Sequence, residues 1–424
     1  MAVCLWSHAA ELRAADRISV REHGAVCDDR VDDTVPIRAT IEAAKAALKS
    51  VYFPPGDCVV SGPINVPENT EIFGAGRASR IRQKTWSLPV FEVGHDYPYI
   101  HDLFLDSTEG RQLINGSFQR APARGRSAGV YSAESNFGRF ENLFIRGFAV
   151  GISLRGPYQS TTTRNTGNSI TNLEVEDVDQ GVLSVQQEQH AITSIRSSKI
   201  TKSQGVDPHL VYLSGLTPPG LKNVIVSGGS LKDGISSGFK SNGTQGLSLV
   251  DLICERCARG FDIGNSTGTG VGLRAIAIPS ATPPDSQQGA FVFENADFTL
   301  VSPEATFAPG SAAFGISARK SSAITVLGGS FRAAGSRDSR PFIRTSGEAV
   351  VQAIRTTFET SDPEQYVIDL RGGGGSKLIN PTVRGTCRLA RVAKSVGQTK
   401  ILIAKWLADS RCDLSRSISD AQPP

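Results

Sequence analysis

The chain has 424 residues, enough for one large domain or two to three ordinary ones, and core burial is not limiting at that length. Hydrophobic residues at 39% and charged residues at 20% exclude a disordered chain, and no apolar run approaches the roughly 18 residues of a membrane helix. Net charge is 45 − 41 = +4, too small to argue for a nucleic-acid partner, while 43 glycines and one methionine favour short strands and turns over a helical bundle.

Residues 1–17 lack the basic start of a signal peptide and carry only a short apolar run. They read as an N-terminal segment, with the remnant of a signal that starts upstream as one interpretation. A secreted or periplasmic location and a cytoplasmic one both stay open. The seven cysteines are 4, 27, 58, 254, 257, 387 and 412, an odd number that excludes complete pairing. Cys27 with Cys58, and Cys387 with Cys412, are placed to staple the two ends of a domain. Cys254 and Cys257 have no second pair and no histidine cluster nearby, so they read as buried free thiols rather than a zinc site.

The next stretch, from Ile18 to Thr34, is a short strand followed by an Asp- and Gly-rich turn. A helix over residues 34–49 follows, with Ile37, Ile41, Ala44 and Leu48 on one face, Asp33 or Thr34 as its cap and Pro36 in its first turn. Val51-Tyr-Phe-Pro-Pro-Gly56 then gives a strand and a turn, and Ile64, Val66, Ile72 and Gly74-Ala-Gly76 another strand and a tight bend. Taken together, His23-Gly24-Ala25, Asp32-Asp33-Thr34, Ile41-Glu-Ala-Ala44, Tyr52-Phe-Pro-Pro-Gly56 and Gly74-Ala-Gly76 resemble the N-terminal segment of the pectate-lyase-like superfamily of right-handed parallel β-helices. His23 departs from that family's usual phenylalanine. The resemblance spans about residues 18–76 and implies a fold rather than a function, since hydrolases, lyases, epimerases and phage tailspikes share it.

A β-helix demands a repeat, because one coil cannot bury its own apolar face. Short apolar strands recur with their second residues at 143, 173, 195, 224, 249, 273, 300, 324, 351 and 379, at intervals of 22 to 30 residues. A second series lies between them, including Gly151-Ile-Ser-Leu, Gly181-Val-Leu-Ser, His209-Leu-Val-Tyr-Leu, Gly260-Phe-Asp-Ile, Ala290-Phe-Val-Phe and Ala313-Phe-Gly-Ile. A β-sandwich would show strands every 8–12 residues without this long register. The expectation is an all-β chain: one right-handed parallel β-helix of about ten coils over residues 18–404, with the helix as N-terminal cap and residues 405–424 as C-terminal cap and tail.

A stacked parallel sheet makes a long face suited to an extended polysaccharide. In Gln204-Gly-Val-Asp-Pro-His-Leu-Val-Tyr212, Asp207 and His209 are two apart and share a face if extended; Tyr212 joins them only if a bulge or corner intervenes. The Asp207-Pro208-His209 triplet also resembles the catalytic segment of mannuronan C5-epimerases, with Gln204 and Val206 where that family has tyrosine and phenylalanine. The resemblance implies abstraction of a uronate C5 proton, with Tyr212 in place of the missing tyrosine. Such chemistry needs a cation to neutralise the sugar carboxylate and a base that titrates near neutrality. His209 suits the base, Arg256, Lys240 and Arg196 suit the carboxylate, and Asn242 is a further substrate-binding candidate.

Hydrolysis needs two carboxylates roughly 5–9.5 Å apart. Asp262, Glu188 and Asp207 lead that set, with Asp233 and Glu255 behind them, and Asp262 should point outward because Phe261 and Ile263 should point inward. The polygalacturonase signature is absent, and no local Asp cluster has the spacing of a calcium loop, so no cofactor or metal is called for. Lyase or epimerase chemistry on a uronate glycan is the first reading. A glycosidase, or a glycan-binding tailspike or adhesin without catalysis, is the alternative, and a homotrimer is compatible with each.

Overall fold

The structure, a computed structural model, describes residues 16–108, 113–114, 117–118, 126–157, 162–197, 208–215, 220–234, 236–279, 289–311, 313–333, 341–360, 366–372, 376–385, 388–392 and 402–404. It is a parallel β-helix. Every strand pairing described is parallel except one short hairpin, Leu113–Ile114 with Ser117–Phe118. Two compact units divide the chain, residues 1–196 with 201–207, and residues 197–200 with 208–424.

In the first unit, each coil sets an apolar residue directly over its counterpart in the next. Ile18, Val51, Ile72, Ile100, Phe140 and Ile170 form one such row. Ile64, Phe91, Val130, Ile152 and Val182 form a second. From Val51 and Ile64 onward these side chains are almost wholly buried, so the core is a column of Ile, Val and Phe layers. Glycine opens several rungs for a steric reason: a Cβ at Gly151 would stand 2.4 Å from the Gly181 carbonyl oxygen of the following coil.

The helix runs Thr34–Ala47 and buries Ile37, Thr40, Ile41 and Ala44. Asp33 is its N-cap residue, yet its side chain makes no capping bond. That carboxylate turns back to accept from the Val26, Cys27 and Val59 backbone N–H groups at 2.7, 3.2 and 3.2 Å, tying the entry loop to the second coil. Asp32 instead accepts from the Thr34 N–H at 2.9 Å. Cys27 and Cys58 are joined in a disulfide beside it. The Sγ atoms and the Asp33 carboxylate lie within 4.8 Å of one another, but the sulfurs are bonded together and the carboxylate is engaged by backbone donors, so this is a staple and not a metal centre.

The second unit has the same construction. Val211, Phe239, Phe261, Phe291, Ile316, Ile343 and Ile368 stack in one row, and Phe298, Ile324 and Val351 in another. Corners are turned by left-handed residues, among them Asn265 and Asn295 at φ 46° and 51°. Their amides chain together, Asn265 donating to Asn242 at 2.7 Å and Asn295 to Asn265 at 3.1 Å, so each corner satisfies the next. The expectation of free thiols at Cys254 and Cys257 is corrected here: their sulfurs are bonded, and both residues are fully buried. The apolar positions read from the repeat are core residues except Ile379, whose neighbour Leu378 is the buried one, and they do not form one column. Leu249 pairs with Val226 and Gly270, not with Val224 and Leu273. Cys387 and Cys412 lie outside the described residues. Among those described, no helix is long and apolar enough to cross a membrane.

Candidate functional site

Two faces bring chemically able side chains together, one in each unit. In the second unit, the parallel strands His209–Ser214, Ser237–Asn242 and Arg259–Gly264 lie side by side. Their register places Tyr212, Lys240 and Asp262 in one outward row, and buried His209 and Ser237 with Arg259 in another row. The two rows share a side because the strand takes a three-residue step: Leu210, Gly238 and Gly260 fall between the registered pairs and are buried. This is the corner that Tyr212 requires to reach His209. The two rings meet edge to face with centroids 5.1 Å apart.

Asp262 projects outward between buried Phe261 and Ile263, as alternation predicts. Its Oδ2 accepts from Arg259 Nη1 at 2.9 Å and Ser237 Oγ at 3.3 Å, with Lys240 Nζ at 4.0 Å. Lys240 also lies 5.7 Å from the Tyr212 ring centre. Lys240, Arg259 and Asp262 have side chains only 21%, 17% and 13% exposed, so this is a sheltered cluster of two cations and one anion. His209 itself is 1% exposed.

The remaining sequence candidates are distributed more widely. Asp207 lies outside the described residues. Arg256 sits at a left-handed corner, exposed, where it grips both oxygens of Asp233 at 2.7 and 3.1 Å and pairs with Glu255. The Asp233 hydrogen bond, foremost, pushes the guanidinium pKa upward. Lys232 closes this turn cluster at 3.1 Å from Glu255. Asn242 takes part in the corner ladder. Glu188 and Arg196 belong to the first unit, Glu188 half-buried with Arg164 Nη1 at 3.7 Å and Arg196 exposed.

The first unit carries a face that sequence reasoning missed. Register sets Arg17 beside Ser50, and Glu71, Tyr99 and Arg139 in one outward row, with Tyr52, Phe73, His101 and Glu141 in the next. A hollow of about 440 Å³ opens there, lined by Asp16, Arg17, Ser50, Glu71, Phe73, Tyr99 and His101. That volume lies within the usual span of small-ligand sites, about 300–1,000 Å³. His101 stacks on Phe73 at 5.4 Å and on Tyr99 at 4.1 Å, held between Asp102 at 2.6 Å and Glu71 at 3.2 Å. Glu71 also accepts from the Ser50 hydroxyl.

Tyr99 donates to Glu141 at 2.8 Å, and Arg139 binds the other Glu141 oxygen at 2.8 Å. Burial, and then that bond to Glu141, push the Tyr99 hydroxyl up to about 12, so it stays a donor across the physiological range. Burial alone would raise the Glu141 carboxyl, but hydrogen bonds from Arg139 and Tyr99 outweigh it and hold it below the usual range. The signal lay in the alternation of Tyr99 and His101 and in the coils before residue 142, where the repeat was not followed.

Residues 17–100 match the family described as rhamnogalacturonase A/epimerase, pectate lyase-like. The pre-neck appendage protein of Bacillus phage B103 is 33% identical over 110 residues, which is 23% of this chain and 12% of that protein. Among solved structures, the pre-mature gene product 12 of bacteriophage phi29 is similar with a TM-score of 0.71 at 14% identity, covering 92% of this chain and 57% of that one. The A-module of a mannuronan C-5 epimerase from Azotobacter vinelandii has a TM-score of 0.53 at 14% identity, covering 91% of this chain and 100% of that module. The chain thus spans a small part of the appendage protein and little more than half of the phage structure. At these identities the structural likeness is one of fold, the parallel β-helix, and the family match over residues 17–100 agrees with the resemblance carried by residues 18–76.

Proposed function

We propose that this protein acts on an extended glycan, and that the row of Tyr212, Lys240 and Asp262 with Arg259 is where it meets a uronate residue. The single observation that carries the reading is the registered placement of an aromatic hydroxyl, two cations and a carboxylate on adjacent strands of one sheltered face. Strands about 4.8 Å apart offer successive contacts along a polymer lying across them. Lys240 and Arg259 would neutralise the sugar carboxylate, which makes its C5 proton removable. Tyr212 is the group on that face to accept the proton, with the buried His209 ring against it. In elimination, the C5–H electrons form the C4=C5 bond and the O4 leaving group departs with a proton. In epimerisation, a proton returns to C5 from the opposite side.

Hydrolysis by paired carboxylates has less support, since the Asp262 oxygen is engaged by a cation and a hydroxyl rather than set opposite a second acid. A second reading, glycan binding without turnover, is favoured by one observation: His209 is 1% exposed, so in this state no substrate reaches it. The name of the epimerase among the similar proteins suits the first reading. The test is a panel of alginate, polygalacturonate and neutral polysaccharides. Unsaturated-uronate absorbance marks elimination, solvent hydrogen uptake at C5 without cleavage marks epimerisation, and new reducing ends without the chromophore mark hydrolysis. Binding with none of the three supports the second reading, and absence of both binding and product on every uronate polymer sinks the proposal.

A further inference from the structure

The corner that leads into the first unit's polar face is built unlike the others. Asn69, Tyr97, Phe137, Gly167 and Gln189 all adopt left-handed backbone, at φ 54°, 58°, 54°, 70° and 51°. Asparagine and glycine are at home there, whereas bulky aromatic residues rarely adopt that conformation. Tyr97 is disfavoured twice, because Pro98 follows it and pushes the preceding residue toward extended backbone. Both rings are nevertheless presented to solvent, Tyr97 51% and Phe137 42% exposed. They stack nearly parallel, 5.1 Å apart and 9° from coplanar.

The backbone beneath them is held firmly. Asp96 Oδ1 accepts from the Asn136 N–H at 2.8 Å and its amide at 3.0 Å, while Asn136 Oδ1 accepts from the Thr166 N–H at 2.9 Å. Gly167 completes the corner, since a Cβ there would stand 2.5 Å from the Phe137 ring. A strained conformation that costs stability, yet leaves about half of each aromatic side chain in solvent, points to a task outside the fold. Two exposed rings in a rigid shelf are what a sugar ring's C–H face stacks on.

The shelf runs directly into the polar hollow, because Tyr97 and Phe137 each lie two residues before Tyr99 and Arg139 of the outward row. Around that hollow stand the carboxylates Asp16, Glu71, Asp102 and Glu141 against the guanidinium groups Arg17 and Arg139, a formal excess of 4 − 2 = 2 negative charges. A polyuronate would be repelled; the hydroxyls of an uncharged sugar would find carboxylate acceptors and guanidinium donors together. We infer that the first unit holds a second glycan site, made of the Tyr97–Phe137 shelf and the Glu71–Tyr99–His101 hollow, and that its ligand is a neutral sugar chain. This site shares with the proposed function only the premise that the protein handles glycans.

Titration calorimetry of the full chain with neutral hexasaccharides of glucose, mannose and N-acetylglucosamine, and with hexagalacturonate and hexamannuronate, tests it. At least one neutral probe binds, and the hexauronates bind this site at least tenfold more weakly. Because uronate binding in the second unit would confuse that comparison, it is made in Lys240→Met. Tyr97→Asn and Phe137→Asn each weaken the neutral probe at least tenfold, yet melt no lower than the parent, because asparagine is at ease in left-handed backbone. Glu71→Gln with Glu141→Gln raises hexauronate affinity while the neutral probe still binds. No neutral probe binding, equal hexauronate affinity, or asparagine variants that melt lower and bind normally would each overturn the inference. Turnover on uronate polymers is read separately, so either proposal can fail without the other.

Discussion

Acid should destabilise the first unit through one buried imidazole. His190 is 1% exposed, with Nδ1 at 2.8 Å from the Asn168 carbonyl and Nε2 at 3.1 Å from Ser184 Oγ. A carbonyl only accepts, so Nδ1 carries the proton and Nε2 receives the serine hydroxyl. Burial, opposed only by the bond to Asn168, lowers the pKa from 6.5 to about 4. A depressed folded value means that the folded state binds fewer protons than the unfolded chain over that interval. The contribution is therefore complete above pH 6.5 and is lost as pH falls toward 4. A difference of about 2.5 at ~1.36 kcal/mol per pH unit corresponds to about 3 kcal/mol, most of it gone by pH ~4.5.

Guanidinium unfolding of the native protein and of His190→Asn, at pH 7.5 and 4.5, measures this directly. Asparagine keeps a donor toward Asn168 and does not titrate. The native protein should lose about 2–3 kcal/mol more than the variant between the two pH values. The reasoning is refuted if the two proteins lose stability in parallel.

Asp33→Ala should cost about 3 kcal/mol in the same assay, because three backbone N–H groups lose a charged acceptor, and Asp33→Asn should cost less since one oxygen remains. Gly238→Ala should destabilise by about 3 kcal/mol or more in the same assay, since its Cβ would stand 1.8 Å from Cys254 Sγ and 2.7 Å from Cys257 Sγ, two sulfurs fixed by their own bond. Lys240→Met should weaken uronate-polymer binding or kcat/KM about tenfold to a hundredfold, and leave affinity for neutral hexasaccharides unchanged, as calorimetry and product assays would show.

What the sequence determined by itself was the burial of individual residues. An apolar side chain recurring every 22 to 30 residues must face an interior, and Leu143, Leu173, Val224, Leu249 and Leu300 do. Alternation within a single strand likewise sent Asp262 outward between buried Phe261 and Ile263. The motifs of residues 18–76 carried the first coils because their turns are local and their glycines and prolines restrict the backbone over only a few residues. The tertiary structure decided which coil's residue lies beside which. Loops of unequal length shift the register, so Leu249 pairs with Val226 and Gly270, a step that periodicity averages away. The three-residue step at Leu210, Gly238 and Gly260 brings Tyr212 round to His209, although two-residue alternation would have separated them. Asp33 stands where a helix cap belongs, but the Val26 and Cys27 N–H groups of the preceding turn, with the Val59 N–H that coiling brings near, outcompete the helix's own N–H groups. The face of Glu71, Tyr99, His101 and Glu141 assembles side chains up to 70 positions apart in the chain, and only the stacking of coils about 4.8 Å apart makes them neighbours.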